Sequence, residues 1–188
     1  MEKDLRQVPS YTLRVVLYGP ESTGKTTLAR ALANHYQTEW VEEFARDYLQ
    51  RKWEEQKAFC TLDDLPFIVA GQLESENQKL VKAKKVLFCD TNVAVTRVWS
   101  ETHFDGYCDP TILDYSKKFK YDLYLLTGID TPWVKDDLRD RPDDRELIFD
   151  HFKRTLDKLQ KNYVILEGNQ ALRLKRAITS IDLLLKKA

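Results

Sequence analysis

The chain has 188 residues, of which 43% are hydrophobic and 32% charged, with 30 Lys plus Arg set against 30 Asp plus Glu. That size and balance suit one globular domain over residues 1–188 with a true core, and they exclude an intrinsically disordered chain. A formal net charge of zero provides no broad positive field to gather nucleic acid or an anionic membrane, so any anionic ligand has to be gripped by a few local groups.

Met1 to Ser10 is a charged tail without the apolar run of an export signal. Thr12 to Tyr18, TLRVVLY, is rich in β-branched and aromatic residues and is cut off by Gly19-Pro20, which predicts a strand followed by a tight loop. Within Lys25 to Tyr36, Leu28, Ala29, Leu32 and Ala33 recur at helical spacing. A short strand is predicted at about Thr38 to Val41, then a helix through Ala45, Tyr48, Leu49 and Trp53, and another helix from Leu62 to Lys84. Val86 to Cys89, capped by Asp90, and Tyr121 to Leu126 are compact apolar runs of the kind a parallel sheet buries on both faces. Tyr163 to Leu166 is a fifth strand, and Gln170 to Lys187 closes the chain as a helix. Strands alternating with helices in this way make a three-layer α/β fold. Asp130 to Glu146, DTPWVKDDLRDRPDDRE, stands apart: its charged composition is that of an exposed loop.

Cys60, Cys89 and Cys108 are odd in number and lack Cys-x-x-Cys spacing, which speaks against a disulfide framework and fits a reducing cytoplasm. His35, His103 and His151 are scattered and pair with no cysteine at ligand spacing, so a structural zinc cage has no candidate. No stretch approaches the roughly 18 apolar residues of a membrane span.

The chemistry concentrates in four places. Gly19-Pro20-Glu21-Ser22-Thr23-Gly24-Lys25-Thr26 fits G-x-x-x-x-G-K-S/T in full, and it sits between a predicted strand and a predicted helix. In such a loop successive backbone N–H groups, including those of Glu21, Ser22, Thr23, Gly24 and Thr27, surround a nucleotide phosphate. The Lys25 ammonium neutralises the transferred charge and the Thr26 hydroxyl ligates magnesium. Asp90, at the carboxyl end of VLFCD, stands where a P-loop fold sets its second magnesium contact, with helix capping by Asp90 or Thr91 as the competing reading. Glu43 and Arg46 follow the second strand, three residues apart, at the sheet edge where ligands bind. A kinase needs a carboxylate there to orient and deprotonate the acceptor hydroxyl and a cation for the γ-phosphate, although the same spacing also makes an ordinary surface ion pair. Arg139, Arg141 and Arg145 cluster in the charged segment, about 130–146, which reads as a mobile lid whose guanidiniums close over phosphate. Gly168-Asn169-Gln170 could pass beside an adenine ring or be a plain strand-to-helix turn.

In this order, GPESTGKTTLARALA, VEEFARDYL, FCDTNVAVTRVW and TPWVKDDLRDRPDDRE, the chain resembles the ribosylnicotinamide kinase domain of the NadR family, over nearly its whole length. The resemblance implies a P-loop kinase fold with sheet order 2-3-1-4-5, ATP as donor with magnesium, and nicotinamide riboside as the small-molecule acceptor. It implies Lys25 and Thr26 at the phosphates and metal, Glu43 and Arg46 near the acceptor, Asp90 at the ribose or magnesium side, and Arg139 and Arg141 in the lid. Two departures accompany it. The chain lacks the H-x-G-H of an adenylyltransferase, so it is not expected to make NAD itself. Glu42 occupies the position before the Glu-x-x-Arg pair where NadR kinase domains carry an aromatic, with Trp40 two places earlier. A kinase for another nucleoside, or an ATPase acting on a partner protein, remains as the alternative, and the oligomeric state stays open.

Overall fold

A computed structural model of the chain describes residues 5–138, 141 and 143–187. Its strands are β1 (Leu13–Tyr18), β2 (Trp40–Val41), β3 (Val86–Asp90), β4 (Leu123–Thr127) and β5 (Tyr163–Leu166). All pair in parallel, in the order β2-β3-β1-β4-β5 that the resemblance implies. The helices are α1 (Lys25–Tyr36), α2 (Phe44–Gln56), α3 (Leu65–Leu80), α4 (Val93–His103), α5 (Pro110–Lys118), α6 (Arg145–Lys158) and α7 (Gln170–Leu185).

Alternation along β1 divides the core. Val15 and Leu17 pack with Leu28 and Leu32 of α1 and Ala177 and Ile181 of α7 on one face. Val16 and Tyr18 pack with Ala94 and Val98 of α4 and Phe152 and Leu156 of α6 on the other. Each Val or Leu fully buried in these layers contributes about 1.5–3 kcal/mol. Leu65, Ile68, Val69 and Leu73 of α3 join Val93, Cys108, Ile112 and Phe119 in a third cluster beside the sheet.

Two predicted elements are shorter than expected, each for a visible reason. The second strand keeps only Trp40–Val41, because the Thr38 hydroxyl donates to Val86 O at 2.7 Å and accepts the Lys84 N–H at 3.0 Å. The long helix predicted from Leu62 to Lys84 begins instead as a 3-10 turn, Leu62–Asp64, closed by a reciprocal Thr61–Asp64 capping box, and α3 ends at Leu80. Among the described residues no helix is long and apolar enough to cross a membrane.

One buried carboxyl makes stability depend on pH. Glu76 of α3 is 1% exposed, and the Tyr121 hydroxyl lies 3.1 and 2.9 Å from its two oxygens. Burial pushes this carboxyl from 4.5 to about 8, against the opposing pull of Tyr121 and the Arg14 guanidinium. The unfolded chain therefore releases the proton near 4.5 while the folded chain holds it to about 8, so this group's contribution to stability falls as pH rises across that window. Glu76→Gln keeps an acceptor for Tyr121 and removes the proton. The variant is expected to match the wild type in thermal unfolding at pH 5 and to exceed it at pH 8; a constant difference at both pH values would remove Glu76 as the cause.

Candidate active site

The loop between β1 and α1 is shaped by glycine where a side chain has no room. Gly19 has φ 136°, and a Cβ there would lie 2.7 Å from Thr127 Oγ1 and 2.9 Å from Thr127 O, so β1 and β4 approach closely just as the loop leaves the sheet. The Thr23 and Thr127 hydroxyls share a hydrogen bond at 2.6 Å, which fixes the middle of the loop to the end of β4. Lys25, at the first position of α1, donates from Nζ to Pro20 O at 2.6 Å and so folds back across the loop.

Thr26 and Asp90 meet. The Thr26 hydroxyl donates to Asp90 Oδ2 at 2.5 Å. Asp90 is 1% exposed, and its Oδ1 is buried with no hydrogen-bond partner. Burial pushes the Asp90 carboxyl above the ordinary carboxylate range, with Lys25, the Thr26 hydroxyl and Arg30 pulling the other way. The capping role weighed for Asp90 or Thr91 belongs to neither: Asn92 caps α4, its Oδ1 accepting from Ala94 N at 3.1 Å and Val95 N at 3.4 Å. Thr91 between them has φ 73°, a strained conformation for a β-branched residue, held by its N–H on Leu17 O at 3.2 Å.

Glu43 occupies the N-cap position of α2, one residue outside the helix, and so does not share a helix face with Arg46 as the spacing predicted. The Arg46 guanidinium instead reaches the charged segment, where Nη2 contacts Asp136 Oδ2 at 2.6 Å. Helix α2 has no buried residue. It is seated by the partly buried Ala45, Tyr48 and Leu49, which pack on the third cluster, and by a close fit to α3: a Cβ at Gly71 would stand 2.2 Å from the Phe44 ring, so only glycine admits that ring. At its far end, Lys52 and Tyr48 bind Asp64 at 2.5 and 2.9 Å. Burial raises Asp64, but Lys52, Thr61 and Tyr48 outweigh it and hold the carboxyl at about 2.

The charged segment begins by resting on the P-loop. Trp133 Nε1 donates to Glu21 Oε1 at 3.0 Å, the Thr131 hydroxyl to Ser22 O at 3.0 Å, and Val134 N to Ser22 Oγ at 2.8 Å. Arg145 holds Thr131 O through Nη1 at 2.9 Å. Arg141 lies near Asp144 at 3.7 Å, while Arg139 lies outside the described residues.

A cavity of about 510 Å³ joins these parts. Its donor side is Gly19 to Thr27, and its other walls include Glu43, Arg46, Gln72, Thr91, Asp137 and Arg141. Phe59, Trp99, Phe104 and Phe152 supply the aromatic surface, with Trp99 stacked on His103 at 4.0 Å. Trp40 does not belong to it: the ring packs under the Arg30 guanidinium at 5.2 Å and against the α1 side of the sheet.

Arg173 of α7 escaped the sequence reading because nothing local marks it. It is 4% exposed and braces the P-loop from behind, donating to Thr23 O at 2.7 Å, Gly168 O at 2.8 Å and Gly128 O at 3.1 Å, and pairing with Asp130. Asn169 caps α7 through Leu172 N at 3.0 Å, so Gly168-Asn169-Gln170 is a strand-to-helix turn.

Strand order, loop and the threonine–aspartate pair behind it define a P-loop domain with the fold of nucleoside and nucleotide kinases. Comparison with known proteins narrows this. A family model described as an AAA domain matches residues 14–173. The NadR proteins of Salmonella typhimurium and Escherichia coli, described as trifunctional NAD biosynthesis/regulator proteins, are 30% identical over 131 residues, 70% of this chain. The chain spans about a third of those relatives' length, 32%. A crystal structure of NadR in complex with NR superposes with TM-score 0.75 at 23% identity, covering 91% of this chain and 49% of that one. Deoxyadenosine kinase from M. mycoides superposes with TM-score 0.67 at 9% identity, covering 90% and 99%. The chain belongs to the AAA-domain family, and its P-loop domain is similar to that of the NadR proteins.

Proposed function

We propose that the chain is an ATP-dependent kinase acting on a nucleoside, with nicotinamide riboside, converted to nicotinamide mononucleotide, as the foremost acceptor. The observation that carries this reading is a cavity in which the P-loop opens onto a wall of aromatic and apolar side chains with Glu43 and Arg46 at the junction. An ATPase that serves a partner protein needs no such enclosed second compartment. The names of the NadR relatives and of the structure with NR support the choice of acceptor.

In this reading backbone N–H groups of Gly19 and of Glu21 to Thr27 surround the β-phosphate at the start of α1, and Lys25 leaves Pro20 O for the β- and γ-oxygens. Thr26 and Asp90 would hold magnesium, and the Asp90 Oδ1 without a partner fits that role. When bound, the ion supplies charge that offsets the triphosphate. Glu43 orients the acceptor hydroxyl and takes its proton as the hydroxyl oxygen bonds to the γ-phosphorus and the bond to the β-phosphate oxygen breaks, releasing ADP. Arg46, now on Asp136, turns to the transferred group with Arg141 and Arg139. Proximity and exclusion of water supply the rest.

The test is mass spectrometry of a nucleoside panel, nicotinamide riboside included, after incubation with ATP and magnesium. One nucleoside should gain a phosphate, and Glu43→Gln should lower its turnover about 10²–10⁴-fold with little change in ATP affinity. ATP hydrolysis with no phosphorylated nucleoside would return the chain to the ATPases.

A further inference from the structure

One polar group in the acceptor wall has no part in the chemistry above. Gln72 of α3 is 4% exposed and lines the cavity. Its Oε1 accepts the Phe44 N–H at 2.9 Å. A backbone N–H can bond only the oxygen of a side-chain amide, so this contact fixes the orientation and turns the NH₂ group away from Phe44. That Nε2 is buried and has no hydrogen-bond partner. Leu65 and Ile68, seven and four positions earlier on the same helix, line the cavity with Gln72, and Leu49 of α2 faces them. Buried donors in folded proteins are almost always paired, and a buried amide donor without a partner in a ligand wall is a group that a ligand completes.

We infer that Gln72 is a specificity-determining residue, donating a hydrogen bond from Nε2 to a carbonyl oxygen carried by the ring of the acceptor. This rests on the nucleoside-kinase reading and names the ring chemistry that site selects. Nε2 only donates, so it rewards a carbonyl and rejects an amino group at the same place. Leu65 and Ile68 offer the flat apolar surface on which such a ring lies. Because Gln72 is anchored to the residue after Glu43, ring recognition and hydroxyl placement share one support.

Two ribosides that differ in a single group provide the test: nicotinamide riboside, and the riboside of unsubstituted pyridine, which has the same ring charge and no carbonyl. Calorimetric titration in the presence of a nonhydrolysable ATP analogue is made on the wild type, Gln72→Leu and Gln72→Glu. The glutamate retains an acceptor for Phe44 N, which guards against a displaced α2. The wild type should bind nicotinamide riboside about tenfold more tightly than the pyridine riboside, and both variants should bring that ratio close to one. In turnover the loss should fall on acceptor KM rather than kcat. An unchanged ratio in two folded variants overturns the inference and leaves the kinase reading standing, as does failure of the wild type to bind either riboside while it phosphorylates another nucleoside. Discrimination lost in both variants without any phosphoryl transfer would uphold Gln72 and overturn the kinase reading.

Discussion

Lys25→Ala is expected to cut phosphoryl transfer by at least about 10²–10³-fold while leaving the circular dichroism spectrum unchanged. The side chain lies across the P-loop on Pro20 O rather than in the core, and the core residues of α1 are Leu28, Ala29, Leu32 and Ala33. Its loss therefore removes charge from the phosphate site without opening a cavity. Parallel assays of ATP binding and turnover decide it: a folded variant with near-wild-type turnover would sink the assignment of the loop to phosphate.

Asp90→Asn is expected to separate function from stability. The amide keeps the volume and can still accept from Thr26, but it lacks the charge that a divalent ion would meet. The magnesium concentration for half-maximal activity should rise about 10–100-fold. Thermal stability should stay level or increase, because burial already disfavours the charged form of Asp90 and the substitution relieves that cost. An unaltered magnesium requirement would remove Asp90 from the metal site. A large drop in melting temperature would make its role structural.

The sheet and the P-loop were legible because their signals are local: a run of β-branched residues, a glycine-bounded turn, a helical period. Glu43 stands after β2 and lines the cavity, but its relation to Arg46 was not legible, since spacing along a helix says nothing about where the helix starts. Helices α4, α5 and α6 could be inferred from the alternation of the fold without being delimited. Their starts depend on Asn92 and Asp109 as caps and on a boundary at Arg145 inside the charged segment. Gln72, Trp99 and Arg173 were invisible for a different reason. Each has its meaning only through partners far off in sequence, and Gln72 in particular reads as one polar residue on an amphipathic helix until Phe44 reaches it.

The brace from Arg173 makes the phosphate loop depend on a distant part of the sequence. The phosphate loop lies near the start of the chain, yet the residue that locks Thr23 O stands 150 positions later, on the last helix. That contact exists only once β1, α1 and α7 are packed on the same face of the sheet, so the loop's backing is a product of the tertiary fold rather than of the motif. A substitution that loosens α7 should thus weaken nucleotide binding without altering any residue of the loop itself.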